Sequence, residues 1–183
     1  MNKLILVNGD IATGKSRFAV LIRDRFSLPL FTKDEFKEAL AETHPYSTYE
    51  ESHELSIMAM ESLLDIFEGY AEDGCDLILE ANFHEDVLNE IEAIADKYHY
   101  ETLHLNLYGS PEILFDRYIK RRDNENRHPV HAVNKLNDFE SFKEYTLSRK
   151  KERLFGEVIN INADNFSYQN NENIFELIKK FLE

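Results

Sequence analysis

The apolar positions of the chain change their period several times, and each change predicts a new element. Leu4 to Val7 is a continuous apolar run in front of Gly9, which predicts a buried strand of a parallel sheet. From Lys15 onward the apolar residues recur at helical spacing, and Pro29 stops that helix. Leu30 to Thr32 predicts a short second strand. The chain therefore opens as strand, loop, helix and strand.

The same alternation continues to the end of the chain. The further predicted elements are a short helix (Asp34 to Ala41), a long amphipathic helix (Glu50 to Tyr70), a strand (Asp76 to Asn82), a helix (Val87 to Tyr98), a strand (Leu103 to Leu107), a helix opened by Pro111, a strand (Val158 to Ile161) and a closing helix (Ile174 to Phe181). Strands that alternate with helices predict an α/β fold, a three-layer sandwich around a five-stranded parallel sheet. We expect residues 1–183 to form a single domain.

Composition and charge exclude several classes of protein. The 183 residues include one cysteine, Cys75, which excludes a disulfide framework and a multi-thiolate zinc site. The net charge of -14 argues against an extended nucleic-acid surface, which needs a basic footprint, but it permits a small basic pocket. No run approaches the ~18 apolar residues of a membrane helix. We therefore expect a cytoplasmic protein with no membrane partner.

The segment from Gly9 to Ser16 matches the phosphate-loop pattern G-x-x-x-x-G-K-[ST] between a predicted strand and a predicted helix. Backbone N–H groups and the helix N-terminus would cradle phosphates there. Lys15 would reach the β- and γ-phosphates, and Ser16 would ligate Mg²⁺. Asp10 puts a carboxylate in a loop for anions, and we expect its side chain to point outward. The alternative is a glycine turn with a chance lysine. The predicted nucleotide-binding residues of this segment are Gly9, Asp10, Ile11, Ala12, Thr13, Gly14, Lys15, Ser16 and Arg17.

Asp34 follows the second strand, at the carboxyl edge of the sheet where open α/β folds bind ligands. A carboxylate at that edge can accept the proton of a hydroxyl that attacks a phosphoryl group. Lys37 lies one helical turn further on and could hold an anionic group of the substrate. The alternative is that Asp34 is the N-cap of its helix and that Lys37 is solvated.

Glu80 and Asn82 come at the end of the third strand, which should lie beside the first. Glu80 suits a water-mediated contact to Mg²⁺ or the orientation of a substrate. Asn82 can position a hydroxyl. The alternative for Glu80 is a carboxylate that faces solvent.

A basic segment stands out in this acidic chain, from Arg117 to His128. Arg117 and Arg121 share one helix face. We predict an arginine-rich lid over about residues 121–137, in which Arg121 and Arg127 stabilise charge on a transferring phosphoryl group. The alternative is a solvated basic face. The pair His128-x-x-His131 lacks a third metal ligand nearby.

With these motifs the chain resembles the small P-loop kinases of the adenylate-kinase-like group, which includes shikimate and gluconate kinases, chloramphenicol phosphotransferase, zeta-toxin-like kinases and polynucleotide kinase. Asp34-x-x-Lys37 is similar to the acceptor motif of the last two, and Arg117-x-x-x-Arg121 is similar to the hinge pair of the group. The resemblance implies strand order 2-3-1-4-5, with Arg117 flanking an adenine and Arg121 reaching the phosphates. It also implies that the base binds near Ala163 and Asp164. Ala12 stands where many small kinases carry another glycine.

The leading hypothesis is an ATP-dependent, Mg²⁺-dependent phosphotransferase that moves the γ-phosphoryl group to a hydroxyl of a small molecule. Its predicted catalytic residues are Lys15, Asp34, Arg121 and Arg127. Lys37, Glu80 and Asn82 would contact the substrate beside Asp34. The alternatives are a polynucleotide or nucleotide-sugar kinase with the same core, and a nucleotide-binding ATPase switch, which needs no acceptor base. The sequence leaves the acceptor and the oligomeric state open.

Overall fold

The computed structural model describes residues 1–124, 128–131 and 136–183. Its strands are β1 (Asn2–Gly9), β2 (Leu30–Thr32), β3 (Leu77–Glu80), β4 (Tyr100–Tyr108) and β5 (Glu157–Asn162). The helices of the described residues are α1 (Lys15–Phe26), α2 (Lys33–Ala41), α3 (Tyr49–Glu72), α4 (Glu85–Lys97), α5 (Pro111–Asn124), α6 (Phe139–Arg149) and α7 (Glu172–Leu182), with 3₁₀ turns at Pro129–His131 and Phe166–Asn170. The strands form one parallel sheet in the order β2-β3-β1-β4-β5. The fold class and the strand order that the resemblance implies are confirmed.

The central strand β1 shows why the fold has three layers. Its residues Leu4–Val7 are fully buried, and successive side chains of a strand point to opposite faces. Leu4 and Leu6 pack into a cluster that includes Phe67 of α3 and residues of α4. Ile5 and Val7 pack on the other face against α1 and α7. The continuous apolar run of β1 therefore contributes side chains to the hydrophobic clusters on both faces of the sheet.

Helix α6 was not predicted, and it packs on α5. Its Phe142 is fully buried against Leu114 and Tyr118 of α5 in a third, smaller cluster. The predicted lid begins inside α5, which runs to Asn124, and part of it lies outside the described residues. The arginine-rich lid stays a prediction. Over the described ranges, no helix combines the length and the apolar character needed to cross a membrane.

The register of the strand pairs determines which residues lie side by side at the carboxyl edge of the sheet. Val7 of β1 lies opposite Glu80 of β3, and Glu80 lies opposite Thr32 of β2. The loop after β1, the start of α2 and the end of β3 therefore meet at one edge. That edge is where the sequence predicts the phosphate loop and the acceptor carboxylates.

Candidate active site

Two glycines give the phosphate loop, residues Gly9–Ser16, its shape. Gly9 has a φ of 134°, and a Cβ there would lie 1.9 Å from the carbonyl oxygen of Leu107 in β4. Gly14 has a φ of 87° and is the N-cap of α1. Only glycine adopts such backbone angles without strain or collision, so the chain can wrap tightly in front of the helix N-terminus.

Lys15 is the first residue of α1 and is buried. Its Nζ donates a hydrogen bond to the backbone oxygen of Asp10 at 2.8 Å, and the Thr13 hydroxyl donates to the same oxygen. Burial lowers the pKa of Lys15 to about 8, while the carboxylates of Glu80 and Asp34 act in the opposite direction. A desolvated ammonium held by a neutral carbonyl is well placed to attract a phosphate oxygen.

The expectation that the Asp10 side chain points outward is wrong. The residue is buried, and its Oδ2 accepts a long hydrogen bond, 3.4 Å, from the backbone N–H of Gly109. Because β4 lies beside β1, the loops that follow the two strands meet and enclose this carboxylate. Burial raises the pKa of Asp10, against the effect of the Gly109 N–H and of Lys15. The Asp10 side chain therefore lies between the phosphate loop and the loop that follows β4, and it stabilises the contact between them.

Ser16 and Glu80, the predicted metal pair, lie together. Glu80 is only 5% exposed at the end of β3, and the Ser16 side chain lies close enough to its carboxylate to lower its pKa. Burial raises the pKa of Glu80, while Lys15 acts in the opposite direction. The alternative of a solvent-facing carboxylate is therefore wrong. A carboxylate and a hydroxyl are oxygen ligands of the kind that Mg²⁺ prefers.

The structure bears on the alternative interpretation of Asp34, in which it caps its helix. Thr32 is the N-cap of α2, since its hydroxyl oxygen accepts from the backbone N–H of Glu35 at 3.2 Å. Asp34 lies in the first turn of α2. Lys37 is buried, and its Nζ donates to the Ser52 hydroxyl of α3 at 2.9 Å. The alternative of a capping aspartate with a solvated lysine is therefore wrong.

The sequence missed the role of the 3₁₀ turn Pro129–His131, which packs on this acceptor side. Val130 is fully buried, and its carbonyl accepts a hydrogen bond from the Ser52 hydroxyl at 2.9 Å. His131 Nε2 lies 2.8 Å from Glu38 Oε1, and its Nδ1 lies 4.0 Å from Asp34 Oδ1. The sequence carries no signal for these contacts, because 93 residues separate His131 from Glu38.

Arg149 of α6 is a second residue that the sequence missed. Its side chain is buried, and it donates to the carbonyl of Phe83 at 2.8 Å and to Asn8 Oδ1 at 3.2 Å. It therefore ties α6 to the end of β1 and to the loop that carries Asn82. Burial of Tyr145, also in α6, raises its pKa, against the effect of Arg149 and of a hydrogen bond with Asn82.

Arg117 lies on the other side of the phosphate loop. Its guanidinium donates to the carbonyls of Ala163 at 2.5 Å and Asp164 at 2.6 Å. Its central carbon lies 4.1 Å from the centroid of the Phe166 ring. Tyr168 of the same segment donates from its hydroxyl to the Thr13 carbonyl at 2.6 Å, which fixes this region to the loop.

One cavity of about 910 Å³ joins the phosphate loop, the acceptor side and the Arg117 side. We call it the central cavity. The predicted site residues that line it are Ile11, Ala12, Gly14, Lys15, Ser16, Arg17, Asp34, Lys37, Glu80, Asn82, Arg117 and Arg121. Gly9, Asp10 and Thr13 shape the loop but do not line the cavity. Arg127 lies outside the described residues. In the described ranges, no group of three His, Cys, Asp or Glu residues could hold a metal ion by itself.

A phosphate loop between the first strand and helix of a parallel sheet of order 2-3-1-4-5 defines the fold of the small P-loop kinases. Within it, the chain belongs to the AAA domain family, whose sequence profile matches residues 5–143. The search of curated proteins gave no match.

Solved structures share this fold over the whole chain. A candidate kinase from Chloroflexus aurantiacus superposes with a TM-score of 0.84 at 23% identity, covering 100% of this chain and 99% of that one. A shikimate kinase from Bacteroides thetaiotaomicron gives 0.61 at 15% identity, with 99% of each chain covered. A gluconokinase from Sinorhizobium meliloti gives 0.59 at 10% identity, covering 99% and 95%.

Proposed function

We propose that the protein is an ATP-dependent phosphotransferase that moves the γ-phosphoryl group to a hydroxyl of a small molecule. The observation that carries the proposal is that one cavity holds both the phosphate loop and the carboxylate of Asp34. An ATPase switch needs the loop but needs no buried acceptor side. The similarity in fold to a shikimate kinase and a gluconokinase supports the same assignment.

The phosphate loop fits a nucleotide triphosphate. Its backbone N–H groups and the Lys15 ammonium would hold the phosphates. The planar guanidinium of Arg117 and the ring of Phe166 would contact the base. Ser16 and Glu80 would hold Mg²⁺, which neutralises charge on the phosphate oxygens when bound. The contact between Ser16 and Glu80 is the observation that supports this assignment.

Asp34 would act on the acceptor. As the acceptor oxygen forms its bond to the γ-phosphorus, the bond from that phosphorus to the β–γ bridging oxygen breaks, and the hydroxyl proton passes to the Asp34 carboxylate. Lys37 and Asn82 would orient the acceptor, and Arg121 and Arg127 would stabilise the charge on the transferring group.

The variant Asp34→Asn tests this function. Asn accepts a hydrogen bond but cannot take the hydroxyl proton, so we expect phosphoryl transfer to fall by roughly 10²–10⁴-fold. ATP binding should stay near that of the wild type. The measurement is ADP release from MgATP across a panel of alcohols, sugars, nucleosides, nucleotide sugars and antibiotics, with ATP binding measured by calorimetry.

Exposed Asp24 of α1 provides the matched control, since Asp24→Asn changes the same group away from the cavity. Full transfer by Asp34→Asn to an acceptor that the wild type phosphorylates would overturn the role of Asp34. If no acceptor accelerates ADP release by the wild type, the ATPase switch is the better assignment.

A further inference from the structure

His131 stands between two carboxylates of α2. Its side chain is 6% exposed, although the side chains of Asp34 and Glu38 are each 42% exposed. The turn that carries it is fixed to α3 by the hydrogen bond from Ser52 to Val130, and Lys37 donates to the same serine. The imidazole is therefore held in a defined place at the wall of the central cavity, which it lines.

Glu38 decides which nitrogen of the neutral ring carries the proton. An ionised carboxylate only accepts hydrogen bonds, so the 2.8 Å contact with Glu38 Oε1 places the hydrogen on Nε2. The basic lone pair of the neutral ring then belongs to Nδ1. That atom lies 4.0 Å from Asp34 Oδ1, so a small adjustment lets it accept a hydrogen bond from the Asp34 carboxyl group once that group has taken a proton. Catalytic hydrogen bonds often tighten to their working length only when the substrate is bound.

We propose that His131 is a positioning residue that acts through Asp34 by receiving the proton that Asp34 takes from the acceptor hydroxyl. This inference rests on the proposed function of Asp34. The proton moves from the hydroxyl to the Asp34 carboxylate and from there to Nδ1, which leaves Asp34 ionised again. The resulting imidazolium lies between the carboxylates of Asp34 and Glu38, and it releases its proton to water when the product leaves.

Other charged or titratable groups near this ring have partners of their own. His128 of the same turn has its ring centroid 6.4 Å from that of His131, and its Nε2 lies 3.2 Å from Glu42 Oε1. Lys37 of α2 donates to Ser52, and His53 of α3 stacks on Tyr49. Glu42 and His128 therefore form a second histidine–carboxylate pair, and they provide an internal control.

The first experiment follows the histidine side chains by NMR as the pH is changed. We expect Asp34→Asn to lower the titration midpoint of His131 by about one pH unit, because it removes a negative charge beside the ring. The control Glu42→Gln should leave the titration midpoint of His131 in place. An unchanged His131 midpoint in Asp34→Asn would overturn the inference. This result does not depend on whether the protein is a kinase.

The second experiment measures ADP release from MgATP against pH, with water as the phosphoryl acceptor and with any acceptor found by the panel. A glutamine amide can still donate to Glu38 but cannot take a proton. His131→Gln should therefore lower kcat about tenfold, which is a smaller loss than the one expected for Asp34→Asn. It should also remove the decrease in kcat that we expect for the wild type at acidic pH. Glu38→Gln should also change the pH profile, and Glu42→Gln should not. If His131→Gln kept the wild-type dependence of kcat on pH, His131 would be only a structural contact and the inference would be overturned.

Discussion

Ala12 is strained in the middle of the phosphate loop. Its φ is 64°, a left-handed backbone angle that costs a residue with a Cβ about 1–2 kcal/mol. Glycine avoids this cost but makes the unfolded chain more flexible, which costs about 0.4–1 kcal/mol. We expect Ala12→Gly to leave the free energy of unfolding unchanged or to raise it by up to about 1 kcal/mol. Chemical denaturation measures the change.

Ala39 provides the control for this prediction. It is exposed in α2, where the backbone is helical and glycine has no advantage. Ala39→Gly should lower the free energy of unfolding by about 1 kcal/mol. If the two variants were equally destabilised, the backbone of Ala12 would not be strained in solution.

The positions of residues at strand ends could be predicted from the sequence, because the residues that directly follow parallel strands all lie at the same edge of the sheet. Asp34 and Glu80 were predicted in this way, and Lys15 was predicted from the phosphate-loop pattern. The burial of Asp10 depends on Gly109 in the loop after the neighbouring strand. The position of His131 depends on a turn more than 90 residues from its partner Glu38. Local patterns carry no information on such contacts.

Helix α3 begins with a capping box, which places one wall of the acceptor side. The Thr48 hydroxyl oxygen accepts from the N–H of Glu51 at 3.2 Å, and the Glu51 carboxylate accepts from the N–H of Thr48 at 3.0 Å. Hydrogen bonds from the backbones of Ser47 and Thr48 lower the pKa of Glu51. Tyr49, Ser52 and His53 line the central cavity directly after this cap.

We expect Thr48→Ala to lower the free energy of unfolding by about 1 kcal/mol, because the N–H of Glu51 loses its acceptor. Thr48→Ser keeps the hydroxyl and should retain most of the stability. Exposed Thr43 caps no helix N-terminus, and Thr43→Ala should change stability by less than about 0.5 kcal/mol. Thermal unfolding compares the three variants. Equal losses in Thr48→Ala and Thr43→Ala would show that the box contributes nothing.

The elements differ in how far their sequences determine them. Helix α3 was predicted as Glu50 to Tyr70 and runs over Tyr49–Glu72, because its apolar residues keep a helical period throughout. Helix α6 was missed because few of its residues are apolar. It is held by Phe142 against α5 and by the buried Arg149, and both contacts join residues that are far apart in the sequence.

At the scale of the molecule, the charge is distributed unevenly. The chain carries a net charge of -14, yet seven lysines and arginines line the central cavity with Asp34 and Glu80; they are Lys15, Arg17, Lys33, Lys37, Arg117, Lys120 and Arg121. A local cationic cavity attracts a small polyphosphate, whereas an acidic surface repels a long polyanion. This distribution favours a nucleotide triphosphate over a nucleic acid as a ligand.

MgATP should therefore stabilise the wild-type protein against heat. Ligand at about 100 times its Kd adds about 2.7 kcal/mol, which raises the Tm of a chain of this size by roughly 5–10 °C. Lys15→Met should remove this shift while leaving the Tm without ligand unchanged or higher, because Lys15 is a buried cation whose pKa is lowered to about 8. Lys179 is exposed in α7, and Lys179→Met should keep the full shift.

Single-stranded DNA with a 5′-hydroxyl tests the same charge argument on the acceptor side. A short oligonucleotide at the concentration used for MgATP should not raise the Tm, and the acceptor assay should show no label transferred to its 5′ end. A chain with a net charge of -14 would have to accept phosphates beyond the terminal nucleotide, and the overall charge opposes their binding. Phosphorylation of the oligonucleotide by the wild type but not by Asp34→Asn would instead assign the protein as a polynucleotide kinase that uses the same base.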